Sequence, residues 1–214
     1  MKEGNTAAPM ARILIVDDEA PLMFALTNTL RVYGFDCVGV TTGTEALEVL
    51  RDQKFELMLS DLAMPDMTGI ELLQQLRAKA CRLPAIVITG HGDVPLAVEA
   101  MKAGAVDFIE KPFDQETILH AVQAALERSF EGEGREDPAV AARLATLSER
   151  ERQVLEGLVA GHPNKTIAYD LGISPRTVEV YRANLMTKMG ARSLSELIRM
   201  AIIAKVAPTR RAAK

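Results

Sequence analysis

The first 128 residues alternate two hydrophobic patterns. Short, nearly continuous apolar runs at Arg12–Val16, Asp36–Val40, Leu57–Asp61, Ala85–Thr89 and Val106–Glu110 predict strands. Between them apolar positions recur every three or four residues, which predicts helices. One runs from Pro21 through Leu30, and Thr42-Gly43-Thr44-Glu45 has the spacing of a capping box for a second that reaches Leu50. Thr68-Gly69-Ile70-Glu71 repeats that spacing for a third, Gly104 closes a fourth over Val94–Ala103, and Asp114 caps a fifth running towards Arg128. Strands without a polar face have no solvent-exposed side, so five strands alternating with five helices predict an α/β doubly wound, five-stranded parallel sheet covered on both faces.

After Pro138 the strand pattern stops and only the helical period remains. Ser148-Glu149-Arg150-Glu151 is a capping box for a helix through Val159, which Gly161 and Pro163 end. Asn164–Leu171 is a short helix, Gly172-Ile173 a tight turn, and Ser174-Pro175 opens a helix to Met189 that Gly190 stops. Ser193 then caps a last helix through Lys205. The two helices around Gly172 read as helix-turn-helix within a small all-α domain of four helices. Residues 131–138 lack apolar periodicity and read as a solvated linker, with a short helix over Ala139–Leu147. The expected domains are 1–126, a linker over 127–145, and 146–208.

Charge separates these halves further. Residues 1–137 carry 12 Lys+Arg against 23 Asp+Glu, whereas residues 138–214 carry 13 against 6. A small basic domain points to a polyanion such as nucleic acid, and the acidic half to another task. No apolar run approaches the roughly 20 residues of a membrane-spanning helix, and the N-terminus lacks the pattern of a secretory leader, so a cytoplasmic protein without a membrane partner is expected. Cys37 and Cys81 have no His or second Cys at metal-ligand spacing and are expected to be reduced thiols.

In a doubly wound sheet ligands bind beyond the carboxyl ends of the strands. Asp17 and Asp18 end the first strand, Asp61 the third, Thr89 the fourth and Lys111 the fifth. Each has an ordinary explanation as a helix cap, a turn residue or a surface lysine. Together they make a polar edge on an apolar sheet, where clustered carboxylates repel unless a cation lies among them. An all-oxygen set suits Mg²⁺. Such a site fits phosphoryl transfer: Asp61 as nucleophile forming an acyl phosphate, with Lys111 and the Thr89 hydroxyl on the phosphoryl oxygens.

Val16-Asp17-Asp18-Glu19, Asp61 with Met64-Pro65 and Gly69, Thr89-Gly90-His91-Gly92 and Lys111-Pro112-Phe113 resemble the receiver domain of bacterial two-component response regulators, and His91–Phe113 resembles the FixJ family of them. The resemblance implies strand order 2-1-3-4-5 and Asp61 as the phosphoacceptor, aided by Thr89 and Lys111. It also implies Mg²⁺ ligation by Asp17, Asp18, Asp61 and the Ala63 carbonyl, Thr89 and Phe108 as switch residues, and a cis Lys111-Pro112 bond. Such a chain accepts a phosphoryl group and can remove it again, without being an enzyme in the ordinary sense.

The helix from Pro175 to Met189 sorts into faces. Val178, Tyr181, Leu185 and Met189 are expected in the core; Arg176, Glu179, Val180, Ala183 and Thr187 lie opposite, flanked by Arg182 and Lys188. A face small in the middle and basic at its edges suits the major groove. Ser148–Glu151, Asn164–Ala168 and Ser174–Arg182 resemble the LuxR-type DNA-binding domain. That resemblance implies phosphate contacts from Lys165, Thr166 and Lys188, and base-edge contacts around Glu179, Val180 and Ala183. Arg176, Thr177 and Arg182 complete the DNA-contacting set, and the last helix can dimerise. The implied partners are a sensor histidine kinase, double-stranded promoter DNA, RNA polymerase and, on phosphorylation, a second copy of the chain. Two other readings compete: an aspartyl-phosphate hydrolase or phosphotransferase, which usually has a second aspartate where this chain has Ala63, and a constitutive DNA-binding protein whose first domain only dimerises.

Overall fold

The computed structural model describes residues 11–90, 94–131 and 138–208. The linker positions 132–137 and the motif residues His91 and Gly92 lie outside the described residues. The apolar runs become β1 (Arg12–Val16), β2 (Asp36–Val40), β3 (Leu57–Asp61), β4 (Ala85–Thr89) and β5 (Asp107–Glu110), five parallel strands in the order β2-β1-β3-β4-β5. β5 starts one residue later than its apolar run suggests. In register, Val16 lies beside Val40 and Ser60, and Asp61 beside Ile88, so the strand ends carrying the acidic residues are level. β3 and β4 are buried along their whole length, as central strands of a covered sheet must be.

The helices of this half are α1 (Ala20–Val32), α2 (Gly43–Asp52), α3 (Gly69–Ala78), α4 (Val94–Lys102) and α5 (Gln115–Glu131). The other half is helical: α6 (Pro138–Ala145), α7 (Glu149–Val159), α8 (Asn164–Leu171), α9 (Pro175–Met189) and α10 (Leu194–Ile203). The expected helix over 139–147 is α6, and the last helix ends at Ile203 rather than Lys205. Gly172, at φ 66°, and Gly190, at φ 64°, close α8 and α9 in the left-handed conformation that a side chain resists.

By packing, the chain forms two compact units that do not follow the linear order. Of the described residues, one unit combines those up to Gly90 with Ile109–Phe130; the other combines 94–108, α4 included, with those from Pro138 on. Within the second unit α4 packs on α7 and α10, and the Ser195 hydroxyl donates to Asp107 Oδ1 in a short hydrogen bond. The core of this unit is built on Val154, Leu155, Leu158, Val178, Leu185 and Leu197, all fully buried. Tyr181, expected there, is only half-buried.

Candidate functional site

The acidic edge forms because three strands stop together. Asp17 follows β1 and is buried, with its Oδ1 accepting the Glu19 N–H at 2.9 Å. Asp61 is the last residue of β3, also buried, and its Oδ2 accepts the Ala63 N–H at 2.7 Å. Lys111 follows β5, and its backbone N–H donates to the Thr89 carbonyl at 2.7 Å, which sets it beside the end of β4. From there its ammonium reaches Asp61 Oδ1 at 2.6 Å, Asp17 Oδ2 at 3.2 Å and Glu19 Oε1 at 3.2 Å. Thr89 is buried, Asp18 exposed, and Phe108 half-buried; the Lys111-Pro112 bond is cis, as expected.

The electrostatics follow from that arrangement. Burial pushes the Asp17 carboxyl above its ordinary value, and the Glu19 N–H and Lys111 only partly offset it. Burial also opposes the charge of Lys111, but the hydrogen bond to Asp61 and the charges of Asp17 and Asp61 prevail and raise its value above that of an ordinary lysine. The Lys111 ammonium is thereby fixed against the Asp61 carboxyl at 2.6 Å. The edge suits an acidic oxygen's attack on an electrophile bearing negative oxygens, which the ammonium can receive.

The donor set fits a hard divalent cation. Asp17 and Asp61 converge on one cationic group, and Mg²⁺ needs only one or two carboxylates beside its waters. Among the described residues no three His, Cys, Asp or Glu side chains are gathered into a ready metal cage.

Two supports of this edge are given no role by the sequence. Glu19 is the third carboxylate on Lys111. Asp66 accepts from the Gly43 and Thr44 N–H groups at 3.2 and 2.9 Å and from the Thr44 hydroxyl at 2.9 Å, tying the loop after β3 to the N-terminus of α2. Glu19 is signalled only by adjacency to the aspartate pair, and Asp66 by no sequence feature beyond its place after Pro65.

In the second unit α9 presents Arg176, Glu179, Val180, Ala183 and Thr187 as an exposed stripe, and Lys165 is exposed on α8. Val180 is an exposed large hydrophobic residue at 56%. Thr166 is half-buried, and Thr177 is engaged in the cap of α9, its hydroxyl 2.8 Å from Ser174 Oγ. Two basic residues of the expected interface turn to partners inside the unit: Arg182 donates to Asn164 Oδ1 at 3.1 Å, and Lys188 reaches Glu151 Oε2 at 2.7 Å. Nothing in the sequence pattern marks Glu151 as anything more than a helix cap.

Residues 13–123 match the response regulator receiver domain, and residues 145–201 the family of bacterial regulatory proteins of luxR type. The chain is 54% identical over 198 residues to the transcriptional regulatory protein FixJ of Rhizobium meliloti (strain 1021), covering 91% of this chain and 97% of that one. It is 53% identical to the protein of the same name from Azorhizobium caulinodans, over 91% of this chain and 93% of that one. Among solved structures, full-length FixJ from B. japonicum aligns with a TM-score of 0.53 at 45% identity, covering 91% of this chain and 97% of that one.

Proposed function

Since the chain belongs to the FixJ family of response regulators, with a receiver domain and a LuxR-type DNA-binding domain, and is thereby a phosphorylation-dependent transcription regulator, we propose that Asp61 is the phosphoacceptor of a sensor histidine kinase and that its phosphorylation drives dimerisation and unmasks the DNA-binding domain. The observation that carries this reading is the buried Asp61 carboxylate held at 2.6 Å by the Lys111 ammonium.

A carboxylate oxygen of Asp61 attacks the phosphorus of the kinase's phosphohistidine; the P–N bond breaks and the imidazole nitrogen keeps its electron pair. Lys111 moves from its carboxylate partners to a phosphoryl oxygen, and the Thr89 hydroxyl donates to another. Asp17, Asp18, Asp61 and the Ala63 carbonyl would hold Mg²⁺, which supplies neutralisation of charge developing on the phosphoryl oxygens. Thr89 drawn towards the phosphoryl group, with Phe108 turning inward, would carry the change to the α4 surface. Hydrolysis of the acyl phosphate by water resets the site.

Masking is supported by the packing of α4 on α7 and α10, which covers the face proposed for the phosphorylated homodimer. In the open state Lys165, Thr166 and Arg176 contact phosphates of promoter DNA. Base edges are read around Glu179, Val180 and Ala183, Thr177 joins the DNA-contacting set from the cap of α9, and RNA polymerase is a partner at the bound site. The domain limits proposed with this reading are 1–126 and 146–208, in a cytoplasmic protein.

The test is labelling by an acyl-phosphate donor with Mg²⁺. Asp61→Asn should lose the label while folding persists, and Asp18→Ala should raise the Mg²⁺ needed. Full labelling of Asp61→Asn would move the phosphoacceptor elsewhere.

A further inference from the structure

Glu151 opens α7 and closes its capping box: Oε2 accepts the Ser148 N–H and the Ser148 hydroxyl, both at 2.8 Å. A cap of that kind is complete without a cation. Yet the same oxygen takes the Lys188 ammonium at 2.7 Å from the last turn of α9, 37 residues away. The Glu151 side chain is 5% exposed, that of Lys188 40%. A shielded carboxylate that loses its cation is left with a desolvated charge, so the pair resists opening. Lys188 would have to abandon it to reach a phosphate. At the same end of α9, Arg143 of α6 donates to the Met189 carbonyl at 2.9 Å. Nearer its start, Arg182 is fastened to Asn164, the first residue of α8.

Resting on the DNA-binding reading above, we propose that Glu151 is a positioning residue for DNA recognition: through Lys188 it fixes the rotation of α9 on α7, so that Lys188 acts as a strut and not as a phosphate contact. The stripe Arg176, Glu179, Val180 and Ala183 faces outward only for one rotation of α9 about its own axis. The buried residues Val178, Leu185 and Met189 resist large rotations, whereas apolar contacts tolerate small ones. A directional ion pair at the helix end selects among these. Base readout needs that selection and phosphate attraction does not.

Full-length protein, phosphorylated by the acyl-phosphate donor, is titrated with a duplex that the wild type enriches from a random pool and with a scrambled duplex, over a range of salt. Lys188→Met and Glu151→Gln should each lower affinity for the enriched duplex about tenfold, the size of one 1.4 kcal/mol interaction. Both should leave the scrambled duplex and the salt slope unchanged, and the double variant should be no worse than either single one. Gln at 151 retains an oxygen for the cap, and the half-exposed Lys188 is replaceable without a burial change. A salt slope that falls by about one in Lys188→Met alone would make Lys188 a phosphate contact and overturn the proposal; so would enriched-duplex affinity unaltered in both variants. Failure of the wild type to enrich any duplex would instead sink the DNA-binding reading itself.

Discussion

A half-buried ammonium between two buried carboxylates holds its place by pairing, and the Lys111 ammonium lies 3.2 Å from Asp17 Oδ2 and 2.6 Å from Asp61 Oδ1. On the reading proposed above, a phosphoryl group on Asp61 replaces the carboxylate charge with that of its own oxygens, and the Lys111 ammonium passes to one of these without being left unpaired. Glu151 is the corresponding case in the other half. The Lys188 ammonium first, then the Ser148 N–H, hold its carboxyl down to about 2 from an ordinary 4.5. A carboxylate lowered on folding stabilises the fold fully above the unfolded value, and that stabilisation is lost as pH falls through the folded one. Between about pH 4.5 and about 2, therefore, stability of the wild type should fall more steeply than that of Glu151→Gln, read by denaturant unfolding at successive pH values. Parallel curves would mean that Glu151 folds with an unshifted carboxyl. At this scale the sequence shows Asp17, Asp61, Thr89 and Lys111 well, because each breaks an apolar run at a strand end. It includes Glu19 and Glu151 in its motifs but hides their partners, lysines 92 and 37 residues away.

Among helices and strands, boundaries were legible where apolar runs were continuous, and the capping signals divide in an instructive way. The four helix starts with Ser or Thr three residues before Glu all form the side-chain cap, at Thr42, Thr68, Ser148 and Ser193, but only Thr68 and Ser148 receive the return bond from the following glutamate. Those two caps have φ of −75° and −65°. At Thr42 and Ser193 φ is −141° and −140°, which turns the cap N–H away, and Glu45 and Glu196 bind the N–H of Thr41 and Arg192 instead. Residue types do not reveal that torsion. The loop after β3 shows a tighter constraint: a Cβ on Gly69 would lie 2.4 Å from the Asp61 carbonyl oxygen and 3.0 Å from Ser60 Oγ. Gly69→Ala should therefore cost about 1–3 kcal/mol and slow labelling of Asp61, although Gly69 touches no reacting group. Gly90, with nothing within 4 Å of its imagined Cβ, is the control, and Gly90→Ala should leave thermal unfolding alone. Equal effects at the two glycines would remove the steric argument.

For the whole molecule, the sequence reveals an acidic half and a basic half, and its motifs identify both. It does not reveal that α4 packs with the helices of the basic half, because α4 has the same apolar period as any sheet-covering helix and its partners start 47 residues beyond its end. If that packing masks the DNA-binding domain, weakening it should mimic phosphorylation. Ser195→Ala removes the donor to Asp107 and should raise the affinity of the unphosphorylated chain for the enriched duplex about tenfold, the worth of one hydrogen bond to a charged group at about 1.5 kcal/mol. Sedimentation should also show more dimer. An unphosphorylated Ser195→Ala chain that binds and sediments like the wild type would exclude masking through this contact.

The interleaving of the two units also has a consequence in time. A ribosome releases α4 long before α10, whose last residue, Ile203, follows Lys102 by about a hundred positions; at about 5–20 residues per second that is an interval of about 5–20 s. Throughout it the nascent chain carries α4 without the helices that later cover it. Stalled ribosome-bound chains that end before α7 are thus expected to label more readily at α4 than chains released after α10, and equal labelling would mean that α7 and α10 do not cover that surface.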